Sequence, residues 1–143
     1  MPDLEKKQWG YPCVDTNAYD SVIQGTWVCY MRATQFLGAA LLNTTTDLND
    51  ELQYKFSHKS GSFNFKLLHI TGADHAIITI YVDGVSQGTI DLYHAITDVQ
   101  NVISTLAITI TKDGEHTLNI KATSKNVAST DYAVFIGAWW ITD

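Results

Sequence analysis

Five histidines, His58, His69, His75, His94 and His116, are the first residues to weigh for metal or acid–base chemistry. No two of them stand at i, i+2 or i, i+4, the spacings that put two ligands on one face of a strand or helix. His58 and His69 fall at the ends of stretches with strand character and His75 and His116 just after turns, so all five read as surface histidines and no metal site is predicted. Nucleophilic catalysis finds no Gly-x-Ser-x-Gly elbow and no cysteine with an active-site signature. Hydrolysis of a glycoside needs two carboxylates across a cleft. The chain has three glutamates, Glu5, Glu51 and Glu115, all in polar or turn contexts, while Asp83 and Asp113 precede glycine and are explained as turn formers. The expectation is a protein that is not an enzyme and has no cofactor. Calcium is the one alternative, through Asp74, Asp83, Asp91 or Asp98, which fall in loops or strand ends of one region.

Recognition chemistry has more to work with. Four Trp and seven Tyr are present, and a sugar ring stacks its C–H face on such side chains while Asn, Asp or Arg read its hydroxyls. Trp27, Tyr93 and Tyr132 are the candidate glycan platforms. Trp139 and Trp140 are neighbours in an extended stretch, so they face opposite ways. Strict alternation places Ala133, Phe135, Gly137, Trp139 and Ile141 on one face and Tyr132, Val134, Ile136, Ala138 and Trp140 on the other. Both faces are apolar, which predicts a final strand covered on both sides, one of them by a neighbouring subunit. Trp139 and Trp140, with Trp9, Tyr11 and Val14 nearer the start, are therefore candidate interface or attachment residues.

The elements that would position these residues are strands. Leu52, Tyr54 and Phe56 alternate with Glu51, Gln53, Lys55 and Ser57, the period-two pattern of a half-buried strand. Trp27, Cys29 and Met31 fall on one side of an earlier strand, with Thr26, Tyr30 and Arg32 on the other. Ser62–Ile70 places Phe63, Phe65 and Leu67 on one face, and Ala76–Asp83 is a β-branched run suited to a central strand. Asp83-Gly84 supplies a hairpin turn into 87–93. Strands follow over 102–111 and 116–123, joined by Lys112-Asp113-Gly114-Glu115, and the last covers 131–141. About eight strands roughly ten residues apart predict an all-β antiparallel sandwich of jelly-roll type, with an up-and-down barrel as runner-up. Residues 36–49 read as a long irregular crossover. Residues 1–24 are polar, hold both prolines and show no sustained period, so they read as an extended N-terminal arm ahead of a domain over 25–143.

Composition bounds the partners. The 143 residues suit one domain. A formal charge of −6, from 9 basic and 15 acidic side chains, argues against nucleic acid, and no apolar run is long enough to span a bilayer. The polar start, Met1-Pro2-Asp3-Leu4-Glu5-Lys6, does not look like a secretory signal. This predicts synthesis in a cytoplasm, idle thiols at Cys13 and Cys29, and no use of the Asn43-Thr44-Thr45 sequon.

Two stretches carry a resemblance. Ile80-Tyr81-Val82-Asp83-Gly84, followed by Gly88 and Asp91-Leu92-Tyr93, is one. Gly114-Glu115-His116-Thr117-Leu118 with Lys121, Lys125-Asn126, Ser129 and Tyr132 is the other. Together they resemble the β-sandwich modules of tailed-phage virions, found at fibre tips and in capsid-decorating proteins. The resemblance implies a non-enzymatic structural protein displayed on a virion surface, often trimeric, attached to other virion proteins through the arm. The alternative is a carbohydrate-binding module that attaches to glycans.

Overall fold

The computed structural model describes residues 14–31, 39–96 and 99–143. They form two antiparallel sheets packed face to face, a β-sandwich of jelly-roll type. The strands in chain order are β1 (Val14–Asp15), β2 (Ser21–Gln24), β3 (Trp27–Met31), β4 (Ala39–Asn43), β5 (Glu51–His58) and β6 (Gly61–Thr71). They continue with β7 (Ile77–Val82), β8 (Val85–Asp91), β9 (Val99–Ile110), β10 (Gly114–Ser124) and β11 (Phe135–Thr142). One sheet runs β2-β5-β10-β7-β8; the other runs β3-β4-β11-β6-β9, with β1 added against β11. Every named strand pair is antiparallel.

Alternation decides which side chains enter the core. Leu52, Tyr54 and Phe56 of β5, Leu118, Ile120 and Ala122 of β10, and Phe63, Phe65 and Leu67 of β6 all point into the space between the sheets. Trp139 sits at the centre, wholly buried, with the rings of Tyr54, Phe56 and Phe65 at 5.6, 5.6 and 5.8 Å. Burying a side chain of that size contributes about 3 kcal/mol or more.

Several expectations change here. Alternation in β11 breaks at Gly137, where the pairing with β6 shifts between Ile136 and Ala138. Val134, Ile136, Trp139 and Ile141 therefore share the inner face, and Phe135 lies outside. A bulge changes the side-chain phase, which a strict count of two cannot follow. Phe135 is covered within the chain by Ala40, Ile70, Leu42 and the edge of the Tyr30 ring. Its burial needs no second subunit. Residues 14–24, placed in the arm by composition, are part of the sandwich: β1 pairs Val14 with Trp139, and β2 pairs with β5. The expected crossover contains β4, an inner strand between β3 and β11. On the edge strand β3 Trp27 is buried, while Cys29, on the same side by alternation, and Tyr30 are exposed.

The histidines are the largest departure. His58, His69, His75 and His116 are buried, and only His94 is exposed. Each buried ring has a polar partner: the Lys59 carbonyl, the Ser104 hydroxyl, the Ile70 carbonyl and the Asp83 carboxylate respectively. An imidazole with one good hydrogen bond is cheap enough to bury, and sequence spacing does not reveal that partner.

Candidate functional site

The outward face of the five-stranded sheet holds a shallow groove of about 460 Å3. It follows from the same alternation that fills the core. With Tyr54 and Leu118 pointing in, Gln53 of β5 and Asn119 of β10 point out, and register places them side by side with Tyr81 of β7. The next row along the strands is Glu51, Lys121 and Thr79. Thr117 and Gly84 close the groove at the hairpin end. Tyr81 is half-buried, and the burial pattern around it puts Ile78, Ile80 and Val82 in the core.

The polar floor is a directed chain of hydrogen bonds. The Gln53 amide nitrogen donates to Asn119 Oδ1 at 3.2 Å, and Asn119 Nδ2 donates to Glu51 Oε2. Lys121 Nζ lies 3.8 Å from Glu51 Oε1. Each side chain is thus held by its neighbours before any ligand arrives. The inventory of donors leaves the second N–H groups of the Gln53 and Asn119 amides, the Lys121 ammonium and the Thr117 and Tyr81 hydroxyls to face solvent or a ligand. An aromatic side chain beside planar amides and hydroxyls, on a rigid sheet, is a surface suited to polyhydroxylated rings. One carboxylate, Glu51, lines the groove, and it is already engaged.

Beside Thr117 lies Asp83, whose carboxylate takes the His116 Nδ1–H at 2.6 Å and the Thr117 amide at 2.9 Å. Burial pulls its pKa upward, but these two bonds outweigh it and hold the carboxyl below its usual range.

The residues favoured from sequence lie elsewhere. Trp27 is a core residue whose indole N–H donates to the Gln24 carbonyl at 3.0 Å, so it offers no platform. Tyr93 is half-buried beside Gly72, at the opposite end of β7 from the hairpin. Tyr132 is half-buried in the loop before β11, its ring 4.9 Å from the Lys125 ammonium. Val14 and Trp139 are core neighbours across β1 and β11, and Trp140 is half-buried on the other side of that sheet. Trp9, Tyr11, Cys13 and Asp98 lie outside the described residues. None of the platforms chosen from sequence lines the groove. Tyr81 does, and its parity with Thr79 against Ile78, Ile80 and Val82 is the signal that marks it as outward.

The three described aspartates weighed for calcium, Asp74, Asp83 and Asp91, do not gather at one point. Asp83 sits at one end of β7, while Asp74 and Asp91 sit at the other, roughly 20 Å away for six extended residues. Asp91 is engaged by the Tyr93 amide and by Asn126. Among the described residues no group of three or more acidic, His or Cys side chains gathers around a common point. The Asn43 of the sequon is wholly buried, bonded to Asp50, the Tyr132 carbonyl and the Val134 amide.

No protein-family model matches the chain, and no curated protein matches it. Solved structures do. A family 35 carbohydrate-binding module from an environmental isolate superposes with a TM-score of 0.69 at 13% identity, covering 92% of each chain. The CBM36-1 domain of a multidomain xylanase, from the hindgut metagenome of Trinervitermes trinervoides, gives 0.61 at 19% identity over 92% of this chain and 95% of that one. Paenibacillus xanthan lyase gives 0.77 at 18% identity, but this chain spans only 13% of its length. The chain has the fold of the β-sandwich carbohydrate-binding modules. The modules it fills almost end to end are binding domains by their descriptions.

Proposed function

We propose that this protein is a non-catalytic glycan-binding module that holds a sugar chain in the groove of the five-stranded sheet. The observation that carries the reading is the outward row Gln53–Asn119–Tyr81, whose amides are pre-set by the hydrogen-bond chain to Glu51. Tyr81 supplies the ring face, Asn119 and Gln53 read hydroxyls, and Lys121 and Thr117 add donors at the two ends. Preorganisation lowers the ordering cost of binding, which matters for flexible, well-hydrated ligands. The fold shared with carbohydrate-binding modules supports this reading.

The test is a glycan array followed by calorimetry with xylohexaose and β-1,3-galactotriose. Tyr81→Ala and Asn119→Ala should each weaken binding at least tenfold, about 1.4 kcal/mol, while leaving the melting temperature within a few degrees. A blank array with folded protein, or binding indifferent to both changes, would sink the proposal.

Display on a phage virion rests on the motif resemblance. In the structure those motifs form the β7–β8 hairpin, β10 and the loop before β11, where turn and core roles already explain them. No structural observation favours particle attachment over free glycan binding.

A further inference from the structure

We infer that Asp83 is a positioning residue for the groove: its carboxylate, seated on the buried His116 ring, fixes Thr117 and the turn at Gly84 where the groove closes. The inference rests on the glycan-binding reading and adds to it the device that sets one end of the site.

The β7–β10 ladder ends at the pair Val82–Leu118. One residue further on, the Asp83 N–H still donates to the Thr117 carbonyl at 2.9 Å. The returning bond does not go to backbone. The Thr117 N–H donates instead to Asp83 Oδ1, also at 2.9 Å, because the chain is already turning at φ 50. A side chain thus takes the place of a main-chain acceptor and carries the sheet one step past its end. The second carboxylate oxygen accepts the His116 Nδ1–H at 2.6 Å. An ionised carboxylate can only accept, so this bond fixes the imidazole proton on Nδ1. The His116 side chain is wholly buried, its ring 5.4 Å from Phe56, and its Nε2 has no hydrogen-bond partner among the described residues. A ring packed that way has one orientation, and it grips the carboxylate from the core side.

Turn chemistry alone does not ask for this. Positive φ at Asp83 and Gly84 makes a two-residue hairpin that Asn or Gly would form equally well. A side chain at Gly84 would meet nothing within 4 Å, so the turn itself is not packed. The carboxylate's contacts are directed across to β10, at a residue that lines the groove.

The experiment compares Asp83→Gly, which keeps the turn and deletes the carboxylate, with Asp83→Asn, which keeps an acceptor for the Thr117 amide. Binding of xylohexaose and β-1,3-galactotriose is measured by calorimetry, and the Thr117 amide is followed by NMR. Asp83→Gly should weaken binding at least tenfold and move the Thr117 amide proton. Asp83→Asn should stay within about threefold of the parent. A folded Asp83→Gly that binds like the parent, while Tyr81→Ala does not, overturns the positioning role and leaves the groove standing. If neither sugar binds the parent, or Tyr81→Ala changes nothing, the glycan reading falls and this inference falls with it. Should Asp83→Gly not fold, His116→Phe, which keeps a ring in the core and removes its hold on the carboxylate, decides: a threefold or greater loss of affinity with a moved Thr117 amide proton supports the role, and unchanged affinity overturns it.

Discussion

Asp50 shows how one side chain can tie a loop to the site. Its Oδ2 accepts from Asn43 Nδ2 at 2.9 Å, Thr45 Oγ1 at 2.6 Å and the Asp47 amide at 3.1 Å. Its main chain meanwhile accepts from Ala122 of β10. The wholly buried carboxylate therefore fixes the loop from which Glu51 enters the groove. Oδ1, with no partner among the described residues, faces Gly25, where an added methyl would collide with it. Gly25 also adopts φ 92, a conformation that costs an L-residue about 1–2 kcal/mol. Two penalties add, so Gly25→Ala should lower stability by about 2–4 kcal/mol in urea unfolding. A change below about 0.5 kcal/mol would mean the backbone relaxes freely there and that Asp50 does not anchor the loop.

At the level of elements, β6 carries a pH dependence. His69 has no exposure; its Nε2 meets the Ser104 hydroxyl at 2.7 Å and its Nδ1 has no partner among the described residues. Burial, opposed in part by the polar main chain at Ile70 and reinforced by nearby His75, pushes its pKa down to about 4. The unfolded chain then binds the proton near pH 6.5 and the folded one only near 4. Stability therefore falls as pH drops through this window, by roughly 3 kcal/mol at pH 4 relative to pH 7.5. His69→Gln retains a partner for Ser104 without titrating, so its stability should fall less steeply between pH 6.5 and 4. Parallel slopes for the two proteins would refute the assignment. Elements also show what the sequence could reveal. In β5 and β10 the alternation was plain, and it determines both the core row and the groove row, so Glu51, Gln53 and Asn119 were legible as outward residues. Their cooperation was not, because the register joining Gln53 to Asn119 and Tyr81 is set by pairing between distant strands. The bulge at Gly137 hid the true phase of β11, and burial of four histidines depended on partners up to 35 residues away.

For the molecule as a whole, the start of the folded unit follows from how the two sheets share the first strands. Val14 is buried and pairs with Trp139, the largest of the wholly buried side chains among the described residues. The Thr16 hydroxyl donates to the carbonyls of Ile136 and Gly137, at 2.9 and 3.0 Å, just where β11 bulges. The buried Tyr54 hydroxyl donates to the Thr16 carbonyl at 2.7 Å. A few residues later β2 joins the other sheet at Gln53, in the row that floors the groove. Residues 14–24 thus clamp both sheets. Their loss would uncover Trp139 and leave the Tyr54 hydroxyl buried with its acceptor gone, a cost of about 1–3 kcal/mol for the hydroxyl and a similar amount for Val14. A chain beginning at Gly25 should therefore be at least about 3 kcal/mol less stable than the full chain, a fall of roughly 10–20 °C in melting temperature. It should also bind sugar more weakly, because β2 no longer supports Gln53. If the shortened chain melted with the full one, the boundary at residue 25 would stand and the clamp would not.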